Sequence, residues 1–241
     1  MVVALDQWQV SPHGELEEVD DGILTVPGEI EMPLGHFPRR MTAVRLAGDR
    51  SLIFSAIALS EPDMRRIEAM GWPNFLLVPS GFHRRDARIW KQRYPPIKVV
   101  APVGAREAVE KVVPVDATED IFEDDAVHFL AVPGTSGREA ALEVRRDGRL
   151  TLVLNDVLAN VAHPHGIGAQ VMGRLFGFGV TRPQIPWVVK RKAVDEPGAL
   201  AAQFRTWAAD PGLRRIIVSH GDVIVEGAAG ILTEVADALD R

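Results

Sequence analysis

The stretch RRIIVSHGD (residues 214–222) places a serine, a histidine and a glycine directly after a run of β-branched residues. That run is typical of a buried strand, so His220 lies where the chain leaves a sheet. A second apolar run, LTLVL (residues 150–154), ends in Asn155 and Asp156. Ligands and catalytic groups gather at the ends of strands. These two strand tips therefore predict a site that contains His220 and Asp156.

Upstream of these tips, the chain has short β-like runs followed by an alternation of helix and strand. Three runs predict strands: GILTVPGEI (22–30), MTAVRLAG (41–48) and SLIFSAIAL (51–59). The turn signal AGDR (47–50) predicts a hairpin between the last two. Helix and strand then alternate through SEPDMRRIEAMG (60–71), FLLVP (75–79), RRDARIWKQRYP (84–95), IKVVAP (97–102) and GAREAVEKVV (104–113). This alternation indicates βαβ units.

The second half of the chain returns to β-structure. Its three strand candidates are DDAVHFLAVPG (124–134), REAALEVRRDG (138–148) and RLTLVLND (149–156). The dipeptide Asp147-Gly148 predicts a hairpin between the last two of them. Helices are predicted around residues 168–176, 196–210 and 228–241, and the strand 214–220 lies between the last two.

Two β-rich halves that each end in helices predict two sheets packed face to face with helices outside. This is a four-layer αββα sandwich, built as one domain over residues 1–241. An open doubly wound sheet is the competing architecture, but that fold is mostly parallel and the two hairpins count against it.

Composition excludes several classes of function. The chain has 241 residues, a net charge of -6 and no cysteine, which excludes disulfides, thiolate zinc sites and cysteine nucleophiles. The acidic balance and the lack of a basic run do not favour a nucleic-acid partner. No apolar stretch is long enough to predict a membrane span, and the N-terminal residues lack the basic region of a signal peptide. The expected location is the cytoplasm.

Further candidate residues lie in the loops of the predicted βαβ region and of the second half. His83 lies between a strand and a helix, with Asp86 near the start of that helix. The glycine-bracketed loop VPGTSGRE (132–139) offers Thr135 and Ser136. The pair His163 and His165 has a spacing that brings two imidazoles together in a loop, and is equally typical of a surface loop.

In this order, these motifs resemble those of the metallo-β-lactamase-like superfamily over about residues 40 to 225. The corresponding stretches are FLLV with the loop to His83, YPPIKVVAP (94–102), AVPGTSGRE (131–139), LVLNDVL (152–158) and IIVSHG (216–221). More narrowly, the first motif resembles a branch that carries P-x-x-x-H, here Pro79 to His83. The resemblance implies the four-layer fold and a metal-dependent hydrolase.

The chain also departs from the superfamily's pattern, and its metal-binding motifs are degenerate. Of the metal-binding residues of the first motif, His83 and Asp86 remain. The histidine of the second motif is absent, and Thr135 and Ser136 lie near its position. The resemblance then implies at most four metal ligands, namely His83, Asp86, Asp156 and His220. Zinc sites use four protein ligands, or three and a water. This number allows one zinc, iron or manganese ion, or none, and makes a two-metal centre improbable.

Two functions remain open at this point. The first is a metal-free binding or scaffold module, in which Asp156 pairs with His220 and the loop arginines Arg84, Arg85 and Arg138 bind an anionic small molecule. The second is a mononuclear hydrolase of an ester, thioester or phosphoester. In that mechanism Asp86 is a fourth ligand or the catalytic base, beside Asp156.

Overall fold

The computed structural model describes residues 3–32, 35–161, 177–178 and 181–241. Within these ranges the chain forms ten strands in two sheets and six α-helices. The predicted helix at 168–176 lies outside the described residues, as do His163 and His165. None of the described helices is long and apolar enough to cross a membrane.

The first sheet contains six strands that are neighbours in chain order. They are β1 (Glu17–Asp20), β2 (Ile23–Met32), β3 (Gly35–Leu46), β4 (Arg50–Phe54), β5 (Trp72–Leu77) and β6 (Lys98–Val100). Strands β1 to β4 are antiparallel, which confirms the predicted β3–β4 hairpin, and β4, β5 and β6 are parallel. Helices α1 (Glu61–Met70) and α2 (Ala87–Arg93) connect the parallel strands, because a parallel pair needs a crossover connection.

The second sheet contains four strands in the order β10-β9-β8-β7. They are β7 (Val127–Ala131), β8 (Ala140–Arg146), β9 (Arg149–Leu154) and β10 (Leu213–Val218). The predicted hairpin joins β8 to β9, with Asp147 at φ 49° and Gly148 at φ 75°, as a type I′ turn requires. The remaining helices are α3 (Arg106–Glu110), α4 (Trp187–Lys192), α5 (Pro197–Ala208) and α6 (Ala228–Leu239).

Three separate apolar cores show that the layers are stacked α, β, β, α. One core joins α1 and α2 to the outer face of the first sheet, and another joins α5 and α6 to the outer face of the second. The third lies between the sheets. In β9, Leu152 faces the helices and Val153 faces the other sheet, since successive side chains of a strand point to opposite faces. Because such a strand is buried on both faces, its sequence is a continuous apolar run and not an alternation of apolar and polar residues.

Some boundaries differ from those predicted. Strand β1 and helix α4 were not predicted, and the helix expected over 104–113 is reduced to a short 3₁₀ turn and α3. The β-branched pair Val112 and Val113 ends it, with Val113 packed into the core and Pro114 next in sequence.

The parallel pairing of β9 and β10 brings two of the candidate residues to one edge of the sheet. Leu154 is the partner of Val218, so the segments after these residues leave the sheet side by side. A glycine is required there: Gly221 has φ +107°, and a Cβ atom would lie 1.9 Å from the carbonyl oxygen of Asn160. Only glycine adopts this conformation and permits this approach.

Candidate metal centre

Three side chains from three different loops converge at the carboxyl ends of the strands. The Nε2 atom of His83 lies 3.1 Å from Nε2 of His220 and 3.2 Å from Oδ1 of Asp156. The Nε2 atom of His220 lies 3.0 Å from the same Oδ1 atom. Among the described residues, these three form a group able to hold a metal ion.

The outer nitrogen of each imidazole ring is also engaged. His220 donates Nδ1–H to the carbonyl oxygen of Pro38 at 2.7 Å, because a carbonyl only accepts. This bond leaves Nε2 of neutral His220 with a free lone pair directed at the cluster. The Nδ1 atom of His83 lies 2.8 Å from the hydroxyl oxygen of Ser55.

The charge states of the cluster suit metal ligands. Burial alone would raise the pKa of Asp156, but His83 and His220 lower it well below its ordinary value, so this carboxylate is ionised. Burial lowers the pKa of His83 from its ordinary value of 6.5, against the opposing effect of Asp156. Near neutral pH, His83 is therefore uncharged and has a lone pair to share.

A fourth group, Glu139, was not identified from the sequence. Its side chain is buried, and its Oε2 atom accepts hydrogen bonds from Nδ2 of Asn155 at 2.7 Å and from the backbone N–H of Asp156 at 3.2 Å. Through these hydrogen bonds, Glu139 fixes the position of Asn155 and Asp156 at the end of β9. The available signal was a charged residue directly before the apolar run of β8, which is also the ordinary pattern of a strand boundary.

Glu139→Gln is expected to make the metal-free protein more stable than the parent, increasingly so as pH rises. Burial and the charge of Asp156 raise the pKa of Glu139 above its ordinary value of 4.5. A raised folded-state pKa contributes stability below the unfolded value, and this contribution is lost as pH rises through the folded value. The glutamine keeps an acceptor for Asn155 and does not titrate.

Urea unfolding of both proteins between pH ~4 and pH ~8 measures this effect. The advantage of the variant in unfolding free energy should grow as pH rises across this range, because the parent loses the stability that protonated Glu139 contributes. A difference that does not change with pH would contradict the assignment of Glu139 as a carboxyl with a raised pKa.

A cavity of about 580 Å³ lies over the three converging side chains. Its wall is largely apolar, and the rings of Phe37 and Phe178 pack at 4.9 Å and 5.4 Å from the ring of His220. Five cationic side chains also line it: Arg39, Arg84, Arg85, Arg138 and Lys192. The volume is that of a small-molecule site.

The structure does not bring Asp86 into the cluster. Its side chain is fully buried and forms an ion pair with Arg39, while its Oδ1 atom accepts the backbone N–H of Ala58 at 3.1 Å. Asp86 thus joins α2 to strand β3 and to the segment after β4. The geometry does not support the predicted roles of Asp86 as ligand or base, because its carboxylate is committed to these partners.

The other predicted binding residues divide into two groups. Thr135 and Ser136 do not line the cavity: Thr135 donates to the carbonyl oxygen of Val132 at 2.7 Å, and Ser136 donates to Asp195 at 2.6 Å. Arg84 and Arg85 do line the cavity. Arg84 also donates to the carbonyl oxygen of Ala108.

Two facing sheets with helices on both outer sides form a metallo-β-lactamase-like fold. Solved metallo-β-lactamases share it. The enzyme FIM-1 from Pseudomonas aeruginosa, solved in its mono-zinc form, superposes with a TM-score of 0.63 at 11% identity, covering 95% of this chain and 96% of that one. A metallo-β-lactamase from Hirschia baltica gives 0.64 at 10% identity, covering 93% and 98%.

These similarities are structural, and at such low identity they show the fold alone. No family model matches the sequence, and no curated protein matches it significantly.

The cluster fits a metal ion of the zinc type. Zinc is bound to nitrogen and oxygen ligands at about 2.0–2.1 Å in a tetrahedron, so neighbouring ligand atoms lie about 3.3 Å apart. The three observed separations, 3.0 Å to 3.2 Å, are close to one face of that tetrahedron. Two neutral imidazoles and one carboxylate are a common donor set for zinc, iron or manganese.

Proposed function

We propose that this protein is a mononuclear metal-dependent hydrolase of a small ester, thioester or phosphoester. The observation that carries the proposal is the convergence of His83, Asp156 and His220, whose ligand atoms lie 3.0–3.2 Å apart at the floor of a cavity. When bound, the metal ion supplies Lewis acidity that polarises the scissile carbonyl or phosphoryl group. Asp156 supplies the negative charge of the site.

One metal is proposed because the part of the chain that the structure describes offers few further ligands. Among the described residues, the only cluster of side chains able to hold a metal ion consists of His83, Asp156 and His220. Asp86 is paired with Arg39. The position of the second motif is occupied by Thr135 and Ser136, whose hydroxyls bond elsewhere. The proposed site thus takes three protein ligands from the described residues, a number typical of catalytic zinc.

The cavity favours a substrate that is apolar in part and negatively charged in part. Phe82 is 61% exposed and, with Phe37 and Phe178, lines the apolar wall. Arg85 and Lys192 add positive charge to the lining. An anionic group on the substrate would form charge-assisted hydrogen bonds with such cations. We propose a small molecule of this kind as the partner and, given the lack of cysteine, the cytoplasm as the location.

A metal-free binding or scaffold module is the second candidate. The contact of 3.0 Å between His220 and Asp156 is also that of an ion pair, if a proton occupies Nε2 of His220. Protonation would satisfy the buried carboxylate without a metal. The cavity and its cations would then bind an anion without hydrolysing it.

Elemental analysis of untagged protein, purified without a chelator, distinguishes the two. We expect about one metal ion per chain, and hydrolysis of apolar anionic esters, thioesters or phosphoesters that a chelator abolishes and added metal restores. His128→Ala, which changes an exposed histidine, is the control and should keep its metal. Protein that stays metal-free after incubation with zinc, iron and manganese salts would overturn the hydrolase proposal and leave the binding module.

A further inference from the structure

Ser55 has an unusual backbone conformation directly after strand β4. Its φ angle is +56°, in the left-handed region that glycine and asparagine adopt far more readily than serine. The residue is buried at 4% exposure, and its N–H donates to the carbonyl oxygen of Leu77 at 3.2 Å. Such conformations persist where the surrounding structure imposes them, and they cluster at functional sites.

The hydroxyl of Ser55 is placed against a candidate metal ligand. Its Oγ atom lies 2.8 Å from Nδ1 of His83, on the side of the ring opposite the cluster. Because β4 and β5 are parallel, Ser55 and the loop that carries His83 leave the sheet at the same edge. The left-handed turn thus puts a hydroxyl where the imidazole needs a partner.

We propose that Ser55 is a positioning residue of the metal centre, which selects the tautomer and fixes the orientation of His83. This inference rests on the function proposed above. For Nε2 of His83 to bind a metal, the ring proton must be on Nδ1, and Ser55 Oγ is the acceptor for that proton. The carbonyl oxygen of Pro38 serves His220 in the same way. Hydrogen bonds to the outer nitrogen of a histidine ligand orient the ring and strengthen the metal bond.

An alternative role for the hydroxyl is nucleophilic. Ser55, His83 and Asp156 follow one another through contacts of 2.8 Å and 3.2 Å, in the order of a serine-hydrolase triad. The imidazole is reversed relative to that triad, with Nδ1 towards the serine. Reaction of Ser55 with a fluorophosphonate probe would show a nucleophile and would overturn the positioning role.

The test compares Ser55→Ala with Ser55→Gly. Both remove the acceptor, so both should weaken binding of Co²⁺, followed by its visible absorption, by about 10- to 100-fold. Only glycine relieves the left-handed backbone, so the metal-free Ser55→Gly protein should melt at a higher temperature than metal-free Ser55→Ala. If Ser55 had a purely structural role, the Co²⁺ affinity would instead follow stability, and Ser55→Gly would bind Co²⁺ more tightly than Ser55→Ala.

Asp147 provides a matched control. It also has a left-handed φ, 49°, but lies in the exposed β8–β9 turn. Asp147→Ala and Asp147→Gly should show the same order of melting temperatures with unchanged Co²⁺ affinity. If the parent binds no Co²⁺, the proposed function fails and this inference fails with it. If the parent binds Co²⁺ and both Ser55 variants bind it within about threefold of the parent, the positioning role of Ser55 is refuted and the proposed metal site is not.

Discussion

Asp156→Asn is expected to lower the affinity for a divalent metal ion by more than about 100-fold, and to abolish hydrolysis together with metal binding. Mutating a group that only orients a metal ligand lowers metal affinity by about 10- to 100-fold. Asp156 is itself a candidate ligand and the only anionic member of the cluster, so its loss should cost more. Asparagine is nearly the same size, so the fold should persist. Metal content by elemental analysis and Co²⁺ titration measure the effect.

Asp237→Asn is the control for this substitution. Asp237 lies on α6, its side chain is 53% exposed, and the change should leave metal binding as in the parent. The Asp156 variant should also unfold in one cooperative transition, which would show that lost binding is not lost structure. An Asp156→Asn protein that still holds about one metal ion per chain would remove Asp156 from the ligand set.

Asp86→Ala is expected to destabilise the protein by about 3–5 kcal/mol, because it leaves the guanidinium of Arg39 buried without its counter-charge. The side chains of Arg39 and Asp86 are 5% and 0% exposed. The substitution also removes the acceptor for the backbone N–H of Ala58. Urea unfolding of the metal-free protein measures the loss, and metal binding by the fraction that remains folded should be retained.

Two further variants isolate the cause. Arg39→Met combined with Asp86→Ala removes both charges and should recover much of the lost stability, since apolar replacement of a buried pair is often neutral. Glu61→Ala breaks an ion pair with Arg93 at the surface and should have a far smaller effect. A double variant no more stable than Asp86→Ala would show that lost packing or the unsatisfied N–H of Ala58, rather than the unpaired charge, causes the loss.

The elements that could be predicted are those whose signal is local. The hairpin at Asp147-Gly148 follows from turn chemistry, and the strand tips at Asp156 and His220 follow from apolar runs that stop at polar residues. The proximity of these two tips was expected because ligands and catalytic groups gather at the ends of strands. It is produced by the parallel pairing of β9 with β10, which brings the carboxyl ends of the two strands to the same edge.

Three features of the site depend on contacts between segments distant in the chain. Asp86 pairs with a residue 47 positions away, Glu139 supports Asp156 across the β8–β9 pair, and Ser55 reaches His83 between two loops. Nothing near these residues in sequence identifies their partners. A buried carboxylate must be compensated, but the sequence does not say whether by a metal, an arginine or an amide.

The sequence by itself determined the layers of the sandwich and the two strand tips, because periodicity, turn residues and the ends of apolar runs act over a few neighbouring positions. Only the tertiary structure decided which carboxylate joins the candidate metal ligands. Asp156 joins the two histidines and Asp86 does not, since Arg39 extends from β3 to neutralise Asp86 in the interior. The desolvation of a charge depends on every group packed around it, and that set of groups exists only once the chain has folded.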